Sequence, residues 1–284
     1  MKTDQAINNN KVVKSYRYGS TLEITNSVGN KKQKTRVITK HRYINLATGE
    51  IKNMKRKAKN RADNYNSVKR TMRKLRRLIA NNFKGGKNEL WVTLTFRNNV
   101  IDTKEAYTQF KIFMQRLRKD YKNIEYICVI EPQLRGAWHF HVLIKDSTGK
   151  KLTIPNQILA QKYWKQGFVN VKRLKESDNV ANYVMAYVSN VKLPNSENED
   201  PKNSKIKKGL RLHMYPNGLR IYRTSRGIKK PTEKTAPKNQ ILKFNHIQKN
   251  LKPNTIVEQY HVIKGVQKVF KTEYYNDLSN QGSK

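Results

Sequence analysis

Two strand-length apolar runs, Ile124 to Ile130 and Trp138 to Lys145, follow one another across a short connection at Arg135-Gly136. Runs of this length, rich in Ile, Val and aromatic residues and separated by a turn, pair as an antiparallel hairpin. A hairpin alone buries too little apolar surface to be stable, so its neighbours must complete a sheet and cover it. Upstream, Leu90 to Phe96 reads as a strand. A helix follows, opened by Asp102 with Glu105 three residues on and carrying Phe110, Phe113, Met114 and Leu117 on its apolar face. Downstream, Pro155 suits the first turn of a helix to about Lys165, Gly167 stops it, and Phe168 to Leu174 is strand-like. Ser177 or Asp178 can cap a last helix, from Asn179 to Asn190, through Tyr183 and Tyr187. The order predicts an α+β fold of the split β-α-β-β-α-β kind (ferredoxin-like), an antiparallel sheet with helices on one face.

The flanks are basic. Residues 1 to 85 hold 23 Lys and Arg against four acids, and the whole chain of 284 residues has a formal charge of +40. A charge of that size selects a polyanion as partner. Within 1–86, β-like runs at Thr35 to Thr39 and Arg42 to Asn45 precede a helix near 67–83. There Val68, Met72, Leu75 and Ile79 recur at helical spacing, and Arg70, Arg73, Lys74 and Arg77 are expected to contact DNA. The division expected is a basic N-terminal region 1–86, a domain 87–195, and a basic C-terminal region 196–284 that begins with a linker-like stretch, Pro194 to Pro201. The single cysteine, Cys128, lies in an apolar run, which excludes intrachain disulfides and cysteine-based zinc sites. No signal region and no apolar stretch of membrane-spanning length is visible, so a cytoplasmic protein without a membrane partner is expected.

His139-Phe140-His141 is the sharpest chemical feature. Residues two apart on a strand share a face, so both imidazoles point one way while Phe140 points the other. Glu131, eight residues before His139 on the partner strand, can add an oxygen to the two nitrogens, with Gln133 a weaker substitute. That mixed donor set suits a divalent metal, Mn²⁺ or Mg²⁺. Tyr183 and Tyr187, four apart on the expected helix, project from one face.

Taken in order, Thr93-Leu94-Thr95-Phe96, then Arg135 to His141, then Tyr183-Val184-Met185-Ala186-Tyr187, the chain resembles a rolling-circle replication initiator of the HUH endonuclease superfamily. The likeness covers roughly Leu90 to Val191. The segment Gly218 to Pro231 is similar to the stretch after the tyrosine helix in initiators of Gram-positive bacterial plasmids. The resemblance implies a five-stranded antiparallel sheet, of which the pattern places four strands. It implies metal ligation by His139, His141 and Glu131, and a tyrosine nucleophile, Tyr183 or Tyr187, that nicks and rejoins single-stranded DNA through a 5′-phosphotyrosine. Family tyrosines are often followed three residues later by lysine. Here Ala186 and Asn190 stand there, leaving Lys192, or a basic residue from another strand such as Arg135, to neutralise phosphate. The implied partners are single-stranded and origin duplex DNA. A separate host helicase is also expected, because no nucleotide-binding G-x-x-x-x-G-K-[ST] is present, and with it a host polymerase.

Two other readings share these residues. One is a non-catalytic nucleic-acid-binding protein on the same sheet, separable by the absence of any covalent adduct. The other is a transposase or relaxase of the same superfamily, against which the pair rather than trio of histidines and the long basic flanks weigh.

Overall fold

The computed structural model describes residues 5–29, 33–39, 41–54, 59–133, 135–174, 190–192, 206–208, 211–248, 251–263 and 265–276. It is α+β, with antiparallel sheets, and divides into two compact units, Ala58–Lys230 and a second made of Met1–Lys57 with Pro231–Lys284. The chain begins in the second unit with β1 (Val12–Tyr18), β2 (Thr21–Thr25), β3 (Thr35–Val37), β4 (Arg42–Asn45) and β5 (Ile51–Asn53). The last three form a separate exposed sheet in the order β3-β4-β5.

The other unit opens with α1 (Tyr65–Asn82), whose cap Asn64 accepts a hydrogen bond from the Ser67 amide. Val68, Leu75 and Ile79 are buried at the expected spacing. Then follow β6 (Glu89–Thr95), α2 (Thr103–Asp120), β7 (Ile124–Pro132), β8 (Trp138–Asp146), α3 (Asn156–Ile158) with a π-helical continuation Leu159–Trp164, and β9 (Val169–Lys172). Asp102 caps α2 by accepting from the amides of Lys104 and Glu105, satisfying donors the helix itself leaves open. Two short strands, β10 (Asn190–Lys192) and β11 (Ile206–Lys208), pair with each other. Asn190 is therefore in a strand, where the sequence pattern ends a helix. The tyrosine helix expected before it, with Tyr183 and Tyr187, and the linker Pro194 to Pro201 lie outside the described residues. β12 (Tyr222–Thr224) closes the unit.

Five of these strands form one antiparallel sheet in the order β12-β7-β8-β6-β9. The strand that the apolar pattern leaves unplaced is β12, three residues long at the sheet edge, too short for any periodicity to mark it. Side chains alternate across the sheet, so Leu94, Ile130 and Phe140 share one face. There Phe140 meets Tyr107 and Phe110 of α2, at ring separations of 5.6 and 5.0 Å, and Phe96 and Trp164 close the cluster. On the other face of β8, Lys145 reaches back to the end of α1, donating to the Asn82 carbonyl and lying over the Phe83 ring.

The chain then returns to the first-described unit with β13 (Thr232–Pro237), α4 (Lys238–Phe244), β14 (Thr255–Ile263) and β15 (Val266–Tyr275). Its sheet runs β13-β1-β2-β15-β14, over a small core of Val13, Leu22, Ile24, Ile241, Leu242 and Tyr275. Residues read from sequence as a loose N-terminal region and a weakly patterned tail are partners in this sheet. Glu273, fully buried, is neutralised by Lys238 at 2.8 Å, as a buried charge requires.

Gly167 leads into β9 with φ +152°, and a Cβ there would stand 2.5 Å from the Arg97 nitrogen and the Thr95 oxygen. Only glycine allows this approach of backbone to backbone. Gly167→Ala is expected to cost on the order of 3 kcal/mol, read from urea unfolding; an unchanged midpoint would refute the account.

Candidate metal centre

The β7–β8 pairing sets Glu131 directly opposite His139, and β6 sets Thr95 opposite His139 and Thr93 opposite His141. Paired residues point to the same face, so the acid and both imidazoles converge on the face opposite Phe140. The turn fixes this register. Gly136 takes φ +90°, its amide donates to the Gln133 carbonyl, and the Gln133 amide donates to the Ala137 carbonyl.

Glu131 Oε2 lies 3.0 Å from His139 Nε2 and 2.9 Å from His141 Nε2. Its other oxygen, Oε1, accepts from Arg211 Nη1 at 2.8 Å, and the same nitrogen donates to the Pro132 carbonyl. His141 Nδ1 faces the Thr93 hydroxyl at 3.3 Å, and the Trp91 ring packs at 5.9 Å from the imidazole. Tyr215 donates from its hydroxyl to the Ile130 carbonyl, anchoring the segment that carries Arg211.

The electrostatics separate the two kinds of group. Burial alone raises the Glu131 carboxyl, but hydrogen bonds and charge from His139 and His141 outweigh it and hold the group at about 2. His141 is lowered, chiefly by burial and further by the charges of His139 and Arg211, against the pull of Glu131. An ionised carboxylate beside a neutral imidazole is the protonation state in which both are ligands.

Glu131, His139 and His141 form a group whose ligand atoms lie within 4.8 Å of one another and which can hold a metal ion. The donor set fits one. The 2.9 and 3.0 Å oxygen-to-nitrogen separations match neighbouring corners of an octahedron with bonds of about 2.1 Å, the length hard divalent cations prefer. Thr93 and Arg211 supply the surrounding shell. With Nε2 given to a cation, His141 must carry its proton on Nδ1, where the Thr93 oxygen accepts it; Arg211 holds the carboxylate by its other oxygen.

Residues 89–192 match the model of a family described as replication-associated protein ORF2. That match supports a Rep-type replication initiator, and it runs from the first residue of β6 to the last of β10, spanning all three cluster residues. No curated protein and no solved structure matches the chain.

The other residues singled out from sequence are placed as follows. Arg70, Arg73 and Lys74 are exposed along α1, whereas Arg77 on the same helix is buried. Arg135 is exposed in the β7–β8 turn and donates to Gln133 and to the Phe96 carbonyl. Gln133, considered as a substitute ligand, spends its side-chain oxygen on Arg135 rather than on the cluster. Lys192 belongs to β10. Tyr183 and Tyr187 lie outside the described residues. Arg211 was not legible in the sequence: 80 residues separate it from Glu131, and nothing in its neighbourhood marks it. Among the described residues, no helix is long and apolar enough to cross a membrane.

Mn²⁺ affinity, measured by titration calorimetry, is expected to fall about 10- to 100-fold in Thr93→Val and in Arg211→Gln and further in His139→Ala; equal affinities would show the surrounding shell to be inert. In metal-free protein, the Glu131 carboxyl sits below its ordinary 4.5, so the stability it supplies is complete above that value and lost as pH falls towards about 2. The loss is on the order of 3 kcal/mol. Chemical denaturation across this range should show a limb in the parent protein that is flattened in Glu131→Gln.

Proposed function

We propose that this chain initiates rolling-circle replication by nicking and rejoining one strand of DNA, with Tyr183 or Tyr187 as nucleophile and the Glu131, His139 and His141 cluster as its metal centre. The observation that carries the reading is the convergence of one carboxylate oxygen on two imidazole nitrogens inside the segment that matches a replication-associated family. We read β6 to β9, with sheet order β7-β8-β6-β9 and α2 and α3 as connections, as the split β-α-β-β-α-β arrangement of HUH endonucleases.

A phenol with pKa near 10 is a weak nucleophile, and a phosphodiester repels its anion. A divalent ion held by the cluster supplies Lewis-acid stabilisation of charge on the phosphate oxygens. The chain's own residues do the rest. Arg211 keeps Glu131 turned towards the histidines and adds positive charge beside the cluster, where the tyrosine segment has Ala186 and Asn190 in place of lysine. Thr93 orients His141. The tyrosine oxygen forms a bond to phosphorus as the bond to the 3′-oxygen breaks; the phenol loses its proton and the 3′-oxygen gains one. One phosphodiester replaces another, so the step reverses readily, and the free 3′-hydroxyl can prime synthesis. The cut strand must be single-stranded or extruded to reach the centre, with a host helicase and polymerase acting on the opened duplex.

Labelled single-stranded oligonucleotides tiling the chain's own replicon, incubated with Mn²⁺ or EDTA, test the reading on a denaturing gel. The expected outcome is a metal-dependent covalent band that disappears in His139→Ala and in one of Tyr183→Phe and Tyr187→Phe. Tight, salt-sensitive binding with no adduct on any tile would instead establish a non-catalytic binding protein.

A further inference from the structure

We propose that a basic groove wrapped around the edge strand β12 is a track for single-stranded DNA, carrying the flank of the strand away from the Glu131, His139 and His141 cluster. The proposal rests on the reading that the substrate is DNA, and adds where that DNA runs.

Two open cavities adjoin at β12. One, of about 760 Å³, is lined by Arg61, Lys74 and Arg220 together with Tyr222. The other, of about 590 Å³, lies along α2 and includes Lys111 and Arg118. Both include Tyr126 and Arg223, so they form one continuous depression. Its lining residues include no carboxylate, in a chain that has 20 of them. Such a run of uncompensated cations follows a phosphate backbone rather than a neutral ligand.

The register ties this groove to the centre. Tyr222 pairs with Val129, and Val129 with His141. All three share a face, so Tyr222 stands on the cluster's side two strands away, roughly 10 Å at ordinary strand spacing. The next residue, Arg223, points to the opposite face, where its guanidinium lies 3.3 Å from the centre of the Tyr107 ring on α2. The short edge strand thus carries contacts from the cluster's face around to the helical face. The segment leading into it is the one that places Arg211 on Glu131, and the Tyr107 hydroxyl fixes its course by donating to the Arg220 carbonyl.

Cations interleaved with partly exposed tyrosines suit a single strand better than a duplex. Unpaired bases stack on phenol and guanidinium faces while the backbone follows the charges, without demanding a particular sequence. A duplex hides its base faces and would leave the tyrosines unused.

The test is fluorescence anisotropy with fluorescein-labelled oligothymidylates of ~6 and ~24 nucleotides, in EDTA, over a range of salt. The longer probe is expected to bind the parent chain more tightly. Lys74→Gln/Arg220→Gln/Arg223→Gln should lose about tenfold of that affinity, lower the salt slope by about 2, and bind the short probe unchanged. Since Arg223 also packs on Tyr107, Lys74→Gln/Lys111→Gln/Arg220→Gln repeats the test with that contact intact. If the parent gains affinity with length and both variants keep the gain and the slope, the track is overturned while the DNA reading stands. Preferential binding of a duplex of equal length, lost in the same variants, overturns the single-strand assignment. Failure of the parent chain to bind either probe overturns the functional reading and the track with it.

Discussion

The pairing of β7 with β8 brings Glu131 opposite His139, and the rest of the candidate centre hangs on that register. Side chains alternate between faces, so a slip of one residue would turn the acid into the core and bring an apolar neighbour to the histidines. Two things prevent the slip. Gly136 closes the turn in a backbone conformation that most residues avoid, and Phe140, between the two histidines, is locked among Tyr107, Phe110 and Trp164 on the opposite face. The aromatic core is therefore also what aims the imidazoles.

The centre combines groups that would be expensive to bury singly. An ionised carboxylate with 8% of its side chain exposed needs partners, and Glu131 has three: two imidazoles on one oxygen and a guanidinium on the other. This division of labour leaves the histidine side of the carboxylate directed to the same point as the ring nitrogens. Arg211 thus serves both as counter-charge and as the element that decides which oxygen faces the cluster.

Much of this was legible in the chain. The strand-length runs around Glu131 and the H-x-H spacing placed both ligand types on one hairpin, and Asp102 with Glu105 announced α2. What escaped was non-local or short. Arg211 reaches Glu131 through tertiary packing, and β12 is too brief to show alternation. The helix expected from Pro155 to about Lys165 was visible, but its π-helical continuation and the left-handed Lys165 that ends it were not, because nothing in the local apolar spacing distinguishes them. The terminal sheet escaped for a related reason: β1 finds its partner β13 at the far end of the chain, and no window of sequence contains both.

That pairing gives the chain an order of assembly. β1 and β2 leave the ribosome first, yet their neighbours β13 and β15 arrive only after the whole of Ala58–Lys230 has been made. During synthesis the early strands carry unpaired edges, while the intervening unit has all its own sheet strands in hand and can fold on local terms. Closing so distant a contact is entropically slow. The terminal sheet is therefore the last part of the molecule to form, and a prematurely terminated chain can complete the candidate metal centre while leaving the first two strands without partners.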